Sequence, residues 1–454
     1  MSAWFPRVTL HSLVVALSVL VYVLTTRVER ERRPPSIAIA WVLGMIAVPY
    51  LALPTYLLFG RRKLPRRVLQ SSGVLAHCAH WAEDLIESFG LAPSAPSSVR
   101  MHENGEESAS ALFSTMASAT YRLDICTYIL GNDPFGREAM QRMIERARSG
   151  VQVRFLIDGV GALQLPHSCL RHLNTAGIQT AIFSSLLARK TQGPRNLRNH
   201  RKMVIADGAQ LWAGGRNLAA EYFTGLKGAK PWSDLSFDLH GPVAAAAAGQ
   251  FEADWVAAGG KPAAATGAVS PVPQTSGGRA QFLPSGPDQA EDTVHALLID
   301  ACFHARERLL VVTPYFVPDT SLETAMRLAA HRGVKIDLCI PAVSNHRLAD
   351  FARNRALRAL GTAGVNIHLL PYMNHAKAMV FDESLAISGS VNLDSRSLLL
   401  NYECAVVFYG AREIDWLANW IQALIPEAQP FDHRAPGLWR DIGEGLLLTV
   451  AYQL

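Results

Sequence analysis

Two long uncharged runs open the chain. Residues 8–26 contain no Asp, Glu, Lys or Arg, and neither do residues 34–60. About 20 apolar residues are enough to span a bilayer core. The pattern therefore predicts two transmembrane helices, over about 8–26 and 36–60. Trp41, Tyr50 and Tyr56 fall where aromatic side chains favour the membrane–water boundary. Pro49 and Pro54 are expected to kink the second span. A cleaved signal peptide is the competing reading of the first run. Against it, the run is long, no small-residue cleavage site follows, and a second span comes next.

Beyond residue 67 the periodicity becomes that of a globular α/β body. Residues 121–130 (YRLDICTYIL) read as a strand; a helical pattern runs through Ala147, and after Gly150 comes the strand 151–157 (VQVRFLI). The same order returns later. Residues 308–316 (RLLVVTPYF) read as a strand, a helix runs through Ala330, and after Gly333 comes the strand 334–340 (VKIDLCI). TAGI at 175–178 answers TAGV at 362–365. Strand and helix in alternation predict a mostly parallel sheet covered by helices. Two copies predict a duplicated, pseudo-two-fold pair of domains. Residues 91–98 read as a turn-rich connector. Residues 259–280 are rich in Gly, Pro, Ala and Ser without periodicity and read as a linker. The expected organisation is an anchor at 1–67, a first domain at 68–258, the linker at 259–280 and a second domain at 281–454.

Composition sharpens this picture at one end. Of 454 residues, 49% are hydrophobic and 18% charged, against about 25% charged in an ordinary soluble chain. Mean hydropathy is +0.12. A fully disordered chain is excluded, and a polytopic transporter is excluded because the excess hydrophobicity sits at the N-terminus. The net charge of +5 is also uneven. Residues 1–67 hold ten Lys/Arg against two acids, a net of +8; the other 387 residues hold 33 bases against 36 acids, a net of −3. A mildly acidic body argues against a nucleic-acid partner. Basic clusters flanking apolar runs suit an anchor on anionic lipid. Two spans put both chain ends on one side. That side carries Arg7, Arg61, Arg62, Lys63, Arg66 and Arg67, against four arginines in the loop 27–33. The positive-inside rule then places the body in the cytoplasm. Six scattered cysteines form no CxxC pair and no metal-ligand spacing, so reduced buried thiols are expected.

The chemistry is concentrated in a repeated motif. Asn199-His200-Arg201-Lys202 is followed by Asp207 and by Gly214-Gly215-Arg216-Asn217. Asn374-His375-Ala376-Lys377 is followed by Asp382 and by Gly389-Ser390-Val391-Asn392. Both fit H-x-K-x4-D-x6-G-[GS]-x-N, with a constant offset of 175 residues. WSDLSFDLHG at 232–241 aligns with NYECAVVFYG at 401–410 and pairs Asp234 with Glu403. A lone HxK carries no weight, but six fixed positions in both halves of a repeat do. Residues two apart in a strand share a face, so each copy offers an imidazole and an ammonium to a common pocket. The two histidines suit a nucleophile and general-acid pair. Lys202, Lys377, Asn217 and Asn392 supply positive charge and donors for a phosphoryl group. Asp234 and Glu403 suit the carboxylate that orients an imidazole in a triad. Asp207 and Asp382 read either as members of the catalytic set or as turn and bracing residues; Asp207-Gly208 has the look of a hairpin turn. No metal or other cofactor is expected.

These residues closely resemble the phospholipase D superfamily, whose mark is the duplicated HxKxxxxD motif, and within it the bacterial cardiolipin synthases. The supporting stretches are LLFG at 57–60, RNHRK at 198–202, PSGPD at 284–288, TPYFVPD at 313–319 and NLDSRS at 392–397. The resemblance covers nearly the whole chain. It implies two α/β/α sandwiches with the site at their interface. It also implies transfer of a phosphatidyl group between two phosphatidylglycerol molecules, giving cardiolipin and glycerol without a metal. His200 is then the nucleophile and His375 the acid. A hydrolytic phospholipase D, a nuclease of the same superfamily and an inactive membrane scaffold are the rival readings. The motif shares its first half-reaction with hydrolysis. A dead scaffold would be expected to have lost a histidine or lysine, and neither copy has.

Overall fold

The computed structural model describes residues 10–29, 35–60, 80–184, 196–262, 278–434, 436–437, 439–440 and 443–445. The basic cluster from Arg61 to Arg67, Cys78 and most of the expected linker lie outside these residues.

At the N-terminus a helix covers Leu10–Glu29. The second apolar run is not the single helix expected over 36–60. It forms two, Pro35–Ala47 and Pro49–Phe59, with Val48 out of helical geometry between them. Pro49 is the reason: it has no N–H to continue the preceding helix and is well placed at the first position of a new one. Pro54 stays inside the second piece. The three helices share a small cluster around Tyr22, Met45, Ala52 and Tyr56, and Thr25 Oγ1 lies 2.6 Å from the Tyr56 hydroxyl. Among the described residues no helix is long and apolar enough to cross a membrane.

The body is built on strands β1 (Ala95–Pro96), β2 (Ser98–His102), β3 (Arg122–Thr127), β4 (Gln152–Asp158), β5 (Gln179–Phe183), β6 (Met203–Ala206), β7 (Gln210–Gly214) and β8 (Ser236–His240). They continue with β9 (Arg279–Ser285), β10 (Arg308–Val312), β11 (Phe316–Val317), β12 (Lys335–Pro341), β13 (Asn366–Leu370), β14 (Ala378–Phe381), β15 (Leu385–Gly389), β16 (Leu393–Asp394), β17 (Glu403–Phe408) and β18 (Gln429–Pro430). One sheet runs β2-β8-β7-β6-β3-β4-β5. The other runs β1-β9-β17-β15-β14-β10-β12-β13-β18. Strip the two short edge strands from the second and the orders coincide, strand for strand. The duplication read from the sequence is a duplication of topology.

Neither sheet is mostly parallel, however. β3, β4 and β5 run parallel, but β6, β7, β8 and β2 are antiparallel. The same division holds in the second sheet. The cause is local: the two residues Asp207 and Gly208 sit at φ 53° and 67° at the tip between β6 and β7. Successive positive-φ residues make a tight hairpin, and a hairpin pairs strands antiparallel.

Helices Gly105–Ser118 and Pro134–Arg148 cover the outer face of the first sheet. Helices Thr293–His304, Thr320–His331 and Asn354–Thr362 cover the outer face of the second. The inner faces meet in one shared core. Met203, Ile205 and Phe237 from one sheet, and Ala378, Val380 and Phe408 from the other, lie in it with residues of helices Pro242–Ala257 and Ala411–Leu424. The Phe237 and Phe408 rings meet edge to face at 5.4 Å. The chain also crosses between the halves early. Helix Trp81–Ser88 and β1, on the N-terminal side of the first sheet in sequence, pack against the second.

Candidate active site

The HxK residues do not lie within a strand. His200, Arg201 and Lys202 directly precede β6, and His375, Ala376 and Lys377 directly precede β14. They remain extended because each pairs with the opposite half. His200 N–H donates to Tyr402 O at 2.8 Å and Tyr402 N–H donates to Arg198 O at 2.9 Å. His375 N–H donates to Ser233 O at 2.6 Å and Ser233 N–H donates to Met373 O at 3.0 Å. These two bridges, Asn199 with Tyr402 and Asn374 with Ser233, are related by the pseudo-two-fold. They bring the histidines to one interface.

The carboxylates follow the same crossing. Glu403 lies 3.0 and 3.1 Å from Nδ1 of His200 through its two oxygens, and Asp234 Oδ2 lies 2.8 Å from Nδ1 of His375. Each imidazole is thus held by an acid from the other half. Donation from Nδ1 to the carboxylate leaves Nε2 of each ring available for the reaction. The lysines complete the set. Lys202 Nζ donates to His200 O at 2.7 Å, and Lys377 Nζ lies 2.9 Å from Nδ1 and 3.3 Å from Nε2 of His375.

The two acids are stabilised by different means. Asp234 accepts from its neighbour's N–H, Leu235, at 2.7 Å. The longer Glu403 accepts from the hydroxyls of Ser390 and Ser397, the latter at 2.6 Å. Ser390 occupies the position of Gly215 in the repeat. A Cβ at Gly215 would fall 2.2 Å from Asp234 Oδ1, so the [GS] position follows the length of the acid it faces. Burial alone would raise both carboxyls. The adjacent histidine and lysine outweigh it, aided by Arg216 at Asp234 and the Ser390 hydroxyl at Glu403, and hold both below the usual carboxylate range.

Burial has the opposite effect on the cations. It lowers His200, with Lys202 adding to the shift against Glu403. Burial and then Lys377 push His375 down to about 3. Burial lowers Lys202 to about 8 and Lys377 to about 7. Four basic groups within electrostatic reach of one another, three buried and His200 nearly so, thus share two carboxylates. An anion placed among them would raise the pKa of all four.

The site is asymmetric in its walls. The Tyr128 ring meets His200 edge to face at 5.1 Å. His375 is surrounded by Tyr222 at 5.1 Å, Trp232 at 5.8 Å and Tyr315 at 6.2 Å. The asparagines differ too. Asn217 Nδ2 donates to the Tyr222 hydroxyl at 2.8 Å and Oδ1 accepts from Ile129 N–H at 3.3 Å. Asn392 Oδ1 is buried without a hydrogen-bond partner.

Asp207 and Asp382 are not brought to the site. Asp207 takes the N–H groups of Thr120, Tyr121 and Arg122 on its oxygens, at 2.7, 3.0 and 2.8 Å. Asp382 does the same for Arg306, Glu307 and Arg308 at 2.8–2.9 Å. Both sit at the far end of the strand that leaves the histidine, seven residues or about 20 Å of extended chain away. They tie the hairpin to the start of β3 and of β10. Of the two readings left open by the sequence, the geometry supports bracing.

A profile described as "Cardiolipin synthase, PLD-like domain" matches residues 112–255 and 298–425. The chain belongs to this family. The two matched stretches take in β3–β8 and β10–β17, one motif each. A second profile, "Phospholipase_D-nuclease N-terminal", matches residues 14–61 and takes in the three N-terminal helices. The chain is 32% identical over 467 residues to cardiolipin synthase A of Pseudomonas aeruginosa (strain LESB58), covering 95% of this chain and 93% of the relative. It is 28% identical to a cardiolipin synthase of Geobacillus sp. (strain WCH70), covering 93% and 89%. Among solved structures it is similar to phosphatidylserine synthase of Haemophilus influenzae Rd KW20, with a TM-score of 0.62 and 13% identity over 82% of this chain and all of that one. That likeness is one of fold.

Within this PLD-like frame, Arg201 and the aromatic walls of the site were not identified from the sequence. Arg201 is completely buried and pairs with Asp254 of helix Pro242–Ala257. It also reaches Asp288 at 3.1 Å, Ser285 O at 3.1 Å and Glu403 O at 2.9 Å in the other half. Ala376 takes its place in the second motif. A large cation between the His and Lys of one motif, against a methyl group in the other, was the available signal. The aromatic walls gave none, because Tyr222 and Trp232 reach the site only through the interface.

Proposed function

We propose that the protein is a phosphatidyltransferase that makes cardiolipin and glycerol from two phosphatidylglycerol molecules through a phosphohistidine intermediate. The observation that carries this reading is the pair of cross-braced histidines set among two lysines, in a chain whose relatives along 95% of its length are cardiolipin synthases. His200 Nε2 attacks phosphorus as the bond to the departing glycerol oxygen breaks, and His375 gives that oxygen its proton. His375 then takes the proton of the second lipid's primary hydroxyl, which attacks phosphorus and releases His200. Lys202 and Lys377 meet the charge on the phosphoryl oxygens. Asn392 adds an amide donor, and Asn217 does so with the hydrogen that Tyr222 leaves free. Glu403 and Asp234 hold the rings and the Nδ1–H tautomer.

Substrate completes the acid. The phosphodiester anion enters between the lysines, offsets their charge, and raises His375 from its resting value of about 3. A rapidly quenched reaction with labelled lipid should leave a phosphoryl adduct on His200, and His200→Ala and His375→Ala should each abolish turnover. An adduct on His375 alone reverses the two roles; none on either histidine contradicts the covalent route. Because the two ammonium groups take the place of a Lewis acid, activity in defined micelles should survive exhaustive chelation. Full loss restored by one cation contradicts that.

The same reading makes the N-terminal helices a membrane anchor, with the body on the cytoplasmic face. The uncharged runs and the outward row Leu10, Leu13, Leu17, Leu20 and Leu24 support it. A reporter fused after Leu454 should resist external protease in intact cells; digestion across a sealed membrane overturns the topology.

A further inference from the structure

Among the described residues, the rim of the site carries large apolar side chains that are exposed. The C-terminal ends of β4 and β12 lie at the edge where the histidines sit: Asp158, ending β4, accepts from Asn199 N–H at 2.8 Å, and Cys339 O of β12 accepts from Thr313 N–H at 3.2 Å. In each half the segment after that strand exposes large hydrophobics. After β4 it is Leu163, 59% exposed. After β12 they are Val343, Leu348 and Phe351, 68%, 56% and 37% exposed.

The second group is rigidly mounted. Helix Arg347–Ala352 buries Ala349 and Ala352 against Val317, with Tyr315 packed on the same cluster. Tyr315 donates to Asn345 Oδ1 at 2.6 Å, and its ring lies 6.2 Å from that of His375. One face of this short helix therefore touches the wall of the site, and the other presents Leu348 outward with Phe351 beside it, the Phe351 ring bordered by Gly443. Arg347 and Arg355 are exposed beside them. The acids nearby are matched: Asp350 pairs with Arg353 at 2.9 Å, and Glu323 lies within electrostatic reach of Arg327 and Arg355. Aliphatic and aromatic side chains flanked by two exposed arginines, at the mouth of a site for an anionic lipid, fit the headgroup layer of an anionic bilayer.

We propose that these two rims, 163 on one side and 343–351 on the other, dock the catalytic body on the surface of an anionic bilayer and hold the mouth of the site at headgroup level. The inference rests on the phosphatidyltransferase reading and adds to it a membrane contact separate from the N-terminal helices. Docking of this kind shortens the path of a lipid from bilayer to histidine and excludes water from the opening.

The test uses the full chain with two forms of phosphatidylglycerol: a long-chain bilayer in reconstituted vesicles, and a short-chain lipid dissolved as monomers with the protein in detergent. Leu348→Ser with Phe351→Ser should lower turnover in the bilayer by about tenfold or more, given the apolar area withdrawn from lipid. Turnover of the short-chain lipid should stay within about twofold. The conservative pair Leu348→Met and Phe351→Leu should restore bilayer turnover. Equal loss on both lipids, or no loss on either, overturns the proposal. So does a fall in the protein's mass in detergent on making the serine pair, which assigns the surface to a second copy of the chain. Wild-type protein inert toward both lipids contradicts the functional reading itself, and the docking surface with it.

Discussion

Asp234 and Glu403 each support a histidine encoded in the opposite half, so removing their charge should act through the partner's imidazole. Glu403→Gln and Asp234→Asn are expected to lower kcat by about 10²–10⁴ with small change in KM, because the wrong tautomer is then favoured. Ser390→Ala removes one donor from Glu403 and should cost only about tenfold. Equal KM and kcat effects in the first pair would show loss of binding and not of orientation. The pH behaviour has a definite sign. Below pH 6.5 an unfolded histidine takes up a proton, whereas His375 in the folded protein does not until about pH 3. Its contribution to stability is therefore complete at neutral pH and is lost on acidification through this window. His375→Gln should flatten the fall of Tm between pH 6.5 and 4; an unchanged slope would mean that His375 is not held neutral. The outer aspartates behave differently. Asp207→Asn and Asp382→Asn each weaken three backbone hydrogen bonds, and should cost about 1–3 kcal/mol of stability while the folded fraction keeps its kcat. A kcat loss without a Tm loss would return these residues to the reaction.

At the scale of the element, what the sequence disclosed depended on how local its cause was. The strand–helix–strand order around residues 121–157 and 308–340 was legible because period-2 and period-3.6 patterns are written in neighbouring residues. The Asp207-Gly208 turn was legible for the same reason. Its consequence, an antiparallel half to each sheet, was missed when the alternation was read as a run of parallel crossovers. Pro49 was expected to bend a helix and instead starts a new one. The edge strands β1 and β18 were out of reach, since two-residue pairings rest on contacts across the chain. The crossing of Asp234 to His375 and of Glu403 to His200 was equally out of reach, although the four residues themselves stood out by repetition. Arg201 is the element-scale joint: one guanidinium fastens helix Pro242–Ala257 to the strand that carries Glu403. Arg201→Met leaves Asp254 buried without its cation and should destabilise by about 3–5 kcal/mol. Adding Asp254→Asn should recover part of that loss; no recovery would show that packing and not charge is lost.

For the whole molecule, one core and one site are built from both halves, so neither half holds a complete histidine–carboxylate pair. A shared interior including Phe237 and Phe408 predicts that the body unfolds in a single calorimetric transition; two separated transitions would contradict a common core. The same interface decides the fate of the phosphatidyl group. Water at about 55 M competes for the phosphohistidine, whereas a positioned hydroxyl reaches effective molarities of roughly 10⁵ M or more. The aromatic wall of Tyr222, Trp232 and Tyr315 around His375, the group that activates the acceptor, is suited to keep water out. The most direct measurement is therefore the product ratio from purified protein and phosphatidylglycerol vesicles at the earliest time points. Cardiolipin and free glycerol in equal amounts, with little phosphatidic acid and with net product suppressed by added glycerol, is the predicted result. Phosphatidic acid as the dominant product from the start would contradict it and make the protein a hydrolase.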